Sequence, residues 1–267
     1  MPLLLVNVFL IALFAACGFA FGAPLIGVMV GLTLCLATLL WYKSATGMVL
    51  KTLQAPRLTE ETARDPIQLM FLGDAQQMRD LAGLSHTQIH IVETHLPLAF
   101  SMGTRKGPSK IVISNGLLKT LTRAEIAAVI GHELGHLRAG DAMLNAMRMT
   151  LSQFVTKTGL RPVFSAFRRV LPGSTLLAGV LMKPECRADA YSAALCQDPK
   201  ILASALKKLE RGVRAVQWSA LEELPFLAEV AVVNPFLAKE SYDRPEKSET
   251  AHRLAELYRL EPEERAA

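Results

Sequence analysis

Not one Asp, Glu, Lys or Arg occurs among the first 42 residues, so all 29 basic and all 24 acidic side chains fall in the remainder. That absence excludes a solvated domain at the start of the chain and marks a membrane segment joined to a polar body. Residues 3–21 (LLLVNVFLIALFAACGFAF) and 25–42 (LIGVMVGLTLCLATLLWY) each approach the ~20 residues that a helix needs to cross the hydrocarbon layer. Only Gly22, Ala23 and Pro24 separate them, which leaves room for a tight turn and nothing more. A cleaved signal peptide would carry a basic stretch before its apolar core, and MPLLLV has none. The basic residues Lys43, Lys51 and Arg57 follow the second run while the turn is uncharged, so the body is expected on the cytoplasmic side of the inner (plasma) membrane. Trp41 and Tyr42 fall where amphipathic rings favour the headgroup layer. The implied localisation is integral and multi-pass, with the lipid bilayer as a partner.

Cysteine is scarce too. Cys17 and Cys35 lie in the apolar runs, and Cys186 and Cys196 are ten apart, so neither a CxxC pair nor a disulfide framework is present. Aromatic residues make up 6% of the chain and no basic run is interleaved with them, which excludes nucleic-acid binding. The net charge of +5 is spread out and suits an anionic membrane surface.

The polar part divides by its periodicity. Residues 43–66 hold two prolines and mixed charges and read as a connector with one short helix. A helix is expected over about 67–84. TQIHIVET (87–94) and SKIVISNG (109–116) are β-branched runs bounded by Pro, Gly and Asn, and read as strands, with room for a third between them. Thr122 with Glu125 three residues on is a capping-box signature, and the helix it opens runs to a glycine stop at Gly140. Further helices are expected near 142–156, 184–195, 200–216 and 248–257. Together these give an α+β protein with a transmembrane helical hairpin (1–42), a connector (43–66) and a mostly helical domain with a small β-sheet (67–267).

Six histidines are present, and two of them sit four apart in HELGH. On a helix, residues four apart point in nearly the same direction, so His132 and His136 present two imidazoles to one point. Glu133 is rotated by about 100° from His132; it borders the site without joining the ligands and is placed to act as a general base. A catalytic zinc needs a third protein ligand with one position left open. KPECRADAYSA supplies it, because Glu185 and Asp189 again lie four apart on an expected helix opened by Pro184. Glu185 is the candidate third ligand for one Zn2+ per chain, and Asp189 the carboxylate that fixes the ring of His132.

PLAFSMG (97–103), IVISNGLL (111–118), HELGHLRAGD (132–141), ECRAD (185–189) and the two apolar spans resemble the HtpX-type membrane zinc endopeptidases, relatives of the CAAX prenyl proteases. The resemblance implies a zincin-like (gluzincin) metalloprotease domain, zinc on His132, His136 and Glu185, Glu133 as the base, and protein or peptide substrates, with protein quality control as the task. It also implies that the strand containing Ala99 and Phe100 lines the cleft and pairs with an extended substrate. Three departures stand out. Leu98 replaces an Asn usual in that family; residues 170–182 are too short to span a membrane as some relatives do; and Arg244 stands where a Thr-His-Pro motif has its histidine. A peptidase also needs a donor for the oxyanion, and the candidates are His252 and Arg253, of which Arg253 is preferred. His86, His90 and His95 match no compact ligand template, Cys186 points about 100° away from Glu185 on a helix, and Asp141 is left without an assigned role. The competing readings are a proteolytic signal transducer, which would add an extracellular sensor domain for which the sequence has no segment, and a non-catalytic scaffold braced by zinc.

Overall fold

The structure is a computed structural model that describes residues 2–143, 149–150, 173–215, 232–233 and 249–260. Two compact units result, Met1–Met48 and Val49–Ala267.

The first unit holds helix α1 (Pro2–Ala20) and most of helix α2 (Pro24–Leu53). The helices lie side by side through small residues, because a side chain on Gly27 would collide with the Phe14 carbonyl and sit 2.9 Å from the Gly18 Cα. Close backbone approach of this kind is how apolar helices associate where lipid competes with side-chain packing. Thr38 Oγ1 donates to Asn7 Oδ1 at 2.6 Å across the same pair. Among the described residues one helix is long and apolar enough to cross a membrane, at Pro24–Trp41; the first offers the shorter apolar run Ile11–Ala20. Helix α2 does not stop where the charges begin. No breaker occurs before Gln54, whose φ of 49° turns the chain so that the Ala55 N–H reaches the Leu50 carbonyl, with Pro56 following. The short connector helix expected after residue 43 is therefore the end of α2.

In the second unit, helix α3 (Pro66–Leu81) is capped by Asp65, whose side chain accepts from the Gln68 N–H. Strands β1 (Gln88–Val92), β2 (Ala99–Gly103) and β3 (Ser109–Ser114) form a mixed sheet in the order β1-β3-β2, with β1 parallel and β2 antiparallel to β3. The third strand expected within residues 96–108 is thus β2, and it lies at an edge. Ser114 ends β3 and caps the short helix α4 (Asn115–Thr120) by accepting from the Leu117 N–H. Helices α5 (Arg123–Ala139), α6 (Gly173–Cys196), α7 (Pro199–Ala215) and α8 (Glu249–Arg259) complete the described elements. The chain is mostly helical with a small mixed sheet. Ile89, Ile91, Ala99, Ile111 and Ile113 of the sheet join Ile126, Val129, Ile130 and Leu134 of α5 in one apolar core. Most of the helix expected over 142–156, together with Arg244, lies outside the described residues.

Helix α6 corrects one expectation. It begins at Gly173, so Pro184 sits inside a helix rather than at its first position. Proline costs a helix one hydrogen bond, and here the following segment stays helical because its small residues pack against α5.

Both arms of the Thr122–Glu125 capping box form, and Gly140 closes α5 in the left-handed conformation with φ 82°. Glu125 does more than cap: it accepts from Lys208 Nζ at 2.8 Å and from Ser204 Oγ at 2.7 Å, tying α7 to the start of α5. Burial opposes its charge, yet the Lys208, Ser204 and Thr122 bonds outweigh burial and bring its pKa down from 4.5 to about 2. A pKa lower in the folded than in the unfolded chain stabilises the fold fully above the unfolded value, and that stabilisation disappears as pH falls through the folded one. Glu125→Gln is therefore expected to melt below the parent at neutral pH, with the two midpoints converging as pH falls from about 4.5 towards about 2. A melting gap that does not change with pH would refute this.

Candidate metal centre

Helix α5 carries its polar groups in its most buried stretch: His132 and Glu133 are 1% exposed and His136 is 5% exposed. Isolated polar groups in that environment are costly unless they find partners, and α6 provides them. The helices can approach because α5 has no side chain at two points one turn apart. A Cβ on Gly135 would lie 2.9 Å from the Ala188 Cα, and one on Gly131 would lie 3.1 Å from Ser192 Oγ. Ser192 Oγ in turn donates to the Ala128 carbonyl at 2.6 Å. This contact sets Glu185 and Asp189 against the two imidazoles.

The ligating atoms of His132, His136 and Glu185 all lie within 4.8 Å of one another. Glu185 Oε2 is 3.5 Å from His132 Nε2, and Oε1 is 3.4 Å from His136 Nε2. The two Nε2 atoms face each other at 3.1 Å, with the rings nearly perpendicular at 85°. Each Nδ1 is already engaged, at 2.8 Å from Asp189 Oδ1 for His132 and at 3.1 Å from Asp141 Oδ1 for His136. A carboxylate at Nδ1 holds the ring proton there and leaves Nε2 with a bare lone pair. Two lone pairs pointed at each other beside a carboxylate repel unless a cation lies between them. Two imidazole nitrogens and one carboxylate are therefore a donor set that fits a divalent metal, and zinc chemistry in particular.

The electrostatics point the same way. Burial pulls both histidines down, but the carboxylates outweigh it: His132 ends above its ordinary value through Asp189 and Glu185, and His136 well above it through Asp141 and Glu185. Burial pushes Glu185 up, and the two histidines with Arg253 more than reverse this, leaving it well below the usual carboxylate range. The cluster favours positive charge between the rings.

Glu133 adjoins His132 in sequence, and its oxygens are not among the converging donor atoms. Burial raises its pKa against the opposing influence of His132 and His136, and its Oε2 is buried without a hydrogen-bond partner. Arg253 on α8 stands behind the cluster. Its Nε donates to Asp189 Oδ2 at 2.7 Å and its Nη2 to Asp189 Oδ1 at 2.6 Å, while Nη1 donates to the Val232 carbonyl and lies 3.3 Å from Glu185 Oε2. At 2% exposure it is sealed in, with its planar fork matched to one carboxylate. Ala99 and Phe100 are 1% and 0% exposed on β2, so the strand offers its backbone edge rather than these side chains. That edge has no strand beside it among the described residues.

Asp141, which the sequence left without a role, takes the second histidine. Its signal is subtle, because its reach to His136 depends on the left-handed turn at Gly140, which lets the Asp141 N–H bond the His136 carbonyl at 3.3 Å and brings the carboxylate back onto the ring. Arg187 Nη2 on α6 lies 3.6 Å from Asp141 Oδ2. Of the remaining histidines, His90 is bonded through Nδ1 to the Ala55 carbonyl at 3.0 Å, a tie from β1 to the end of α2. All four cysteines are free thiols.

Residues 73–239 match peptidase family M48. Over 247 residues, covering 85% of this chain and 79% of the relative, the sequence is 26% identical to a protein named Protease HtpX homolog from Polynucleobacter necessarius subsp. necessarius (strain STIR1). Among solved structures, the crystal structure of S. mikatae Ste24p is similar at 17% identity and a TM-score of 0.48, over 94% of this chain and 62% of that one. The chain thus spans less than two thirds of that structure. The family match covers more than half of this chain and includes the two histidines, both glutamates and Asp189, and the chain belongs to peptidase family M48.

Proposed function

We propose that this protein is a membrane-anchored, zinc-dependent endopeptidase of the HExxH, gluzincin type. The observation that carries the reading is the pair of facing Nε2 atoms, 3.1 Å apart, with the Glu185 carboxylate within 3.5 Å of both. His132, His136 and Glu185 would hold one Zn2+. When bound, zinc polarises a scissile carbonyl and acidifies water toward a pKa of ~7. Asp189 and Asp141 fix the two rings in the ligating tautomer. Glu133, next to the ligands in a water-poor site, accepts the proton of the attacking water on its carboxylate and delivers it to the leaving amine nitrogen. The edge of β2 at Ala99 and Phe100, which has no strand beside it among the described residues, pairs with the backbone of an extended substrate, and the substrate thereby enters the sheet as a further strand. Arg253 was the candidate oxyanion donor; its donors are given to Asp189 and Val232, and the role we assign to it is to position Asp189.

The two N-terminal helices anchor the catalytic unit as a hairpin in the bilayer, with the charges after residue 42 placing it on the cytoplasmic side. Membrane and membrane-proximal proteins are the substrates within reach, and quality control of such proteins is the corresponding task. A zinc-braced scaffold is the less favoured reading, because a structural zinc is closed by four ligands, often thiolates, whereas among the described residues this donor set has three members and no thiolate.

The full chain in detergent or liposomes is expected to cleave unfolded casein, to stop when treated with a chelator, and to resume when zinc is restored. Cleavage indifferent to chelation, or a zinc-loaded chain that cuts nothing, would sink the proposal.

A further inference from the structure

Among the described residues, Glu133 Oε2 on α5 and Ser101 Oγ on β2 are buried without a hydrogen-bond partner, as are Asp141 Oδ2 and His90 Nε2. Buried hydroxyls and carboxylates are nearly always satisfied, so an orphaned donor on β2 and an orphaned acceptor on α5, two elements packed together, call for a functional explanation. Ser101 is 0% exposed and pairs with Ile111, two positions along from Ala99. Side chains alternate across a strand, so Ser101 shares the sheet face of Ala99, and Ala99 and Ile111 belong to the core with Ile130 and Leu134 of α5. Ser101 is thus the polar side chain that this face of β2 directs towards the helix bearing Glu133. Helix α5 packs directly against β2, and neither orphan has a hydrogen bond in the free protein.

We propose that Ser101 is a positioning residue for the general base, its hydroxyl donating to Glu133 Oε2 and fixing the carboxylate for proton transfer. The inference rests on the peptidase reading above. Glu133 takes a proton from the water whose oxygen bonds to the scissile carbonyl carbon, and returns it to the amine nitrogen as the C–N bond breaks. Ser101 keeps its own proton throughout. Its location on β2 gives the arrangement a second consequence: the strand that pairs with substrate through its backbone also orients the base through a side chain. A substrate seated on that edge and the carboxylate that serves it are then held by one element.

The test compares kcat, KM, zinc content and melting temperature for Ser101→Ala, Ser101→Thr and Glu133→Gln in the full-length protein. Loss of a hydrogen bond to a charged group predicts a kcat about 10-fold lower in Ser101→Ala, with KM and zinc content unchanged. Its melting temperature should not fall, because in the free protein this hydroxyl has no partner and its bond to Glu133 Oε2 closes only when substrate is seated on β2. Ser101→Thr restores a hydroxyl and should recover most of the lost kcat. A Ser101→Ala variant as fast as the parent overturns the assignment. So does one whose kcat and melting temperature fall together, or a folded Ser101→Thr as slow as the alanine variant. A parent no faster than Glu133→Gln would instead overturn the peptidase reading itself, and this role with it.

Discussion

Glu133→Gln is expected to keep one zinc per chain and to lose about 10²- to 10⁴-fold in kcat, the usual contribution of a general base. Glutamine has nearly the same shape and cannot accept the water's proton. Glu133 is not among the three side chains whose ligating atoms converge, so metal binding should not change. Stability should not suffer either. The carboxylate is 1% exposed and burial already raises its pKa, so exchanging it for a neutral amide removes a desolvated charge rather than a supporting contact. The measurement is metal content by elemental analysis alongside casein cleavage and thermal unfolding. Parental activity would remove Glu133 from the mechanism. Loss of the metal together with activity would make Glu133 a ligand and break the division of labour between it and Glu185.

The convergence of His132, His136 and Glu185 was legible in the sequence because the pairs that build it are local. His132 and His136 share a helical face, as do Glu185 and Asp189, and the Thr122–Glu125 box announces the helix that carries the first pair. Each is a relation over three or four residues, fixed by helix geometry alone. What was hidden depends on contacts between distant segments. Arg253 lies 64 residues from Asp189 in sequence, and nothing near it signals that its fork closes on that carboxylate rather than on a substrate. Asp141 could be placed only once the backbone reversal at Gly140 was known. Gly131 and Gly135, residues that by propensity alone weaken a helix, are the points where α6 comes close enough to deliver Glu185. Pro184 was mistaken for a helix start because a local rule favours that position, and the residues before it overrode the rule by forming a longer helix. The strand order was likewise not local: β1 and β2 are neighbours in sequence, yet each pairs with β3.

Arg253→Met is expected to destabilise the protein by about 3–5 kcal/mol, the cost of stranding one partner of a buried ion pair. Methionine fills a similar length without charge, so the loss is electrostatic before it is steric. In the parent, burial pushes the Asp189 pKa up and Arg253, with His132, reverses this, leaving Asp189 below its ordinary range. Without Arg253, burial prevails and Asp189 tends to take up a proton. A protonated Asp189 no longer draws the ring proton of His132 to Nδ1, so the ligating nitrogen is less well presented and zinc affinity should fall about 10- to 100-fold. Stability, metal affinity and cleavage therefore decline together. The double variant Arg253→Met, Asp189→Leu separates the effects: removing both charges should recover much of the stability, because a buried pair replaced by apolar groups is often neutral, while zinc affinity stays low for want of a carboxylate at His132. A direct oxyanion donor behaves differently. Its loss lowers kcat while metal binding and melting temperature hold, and that pattern in Arg253→Met would return the guanidinium to the substrate side of the site.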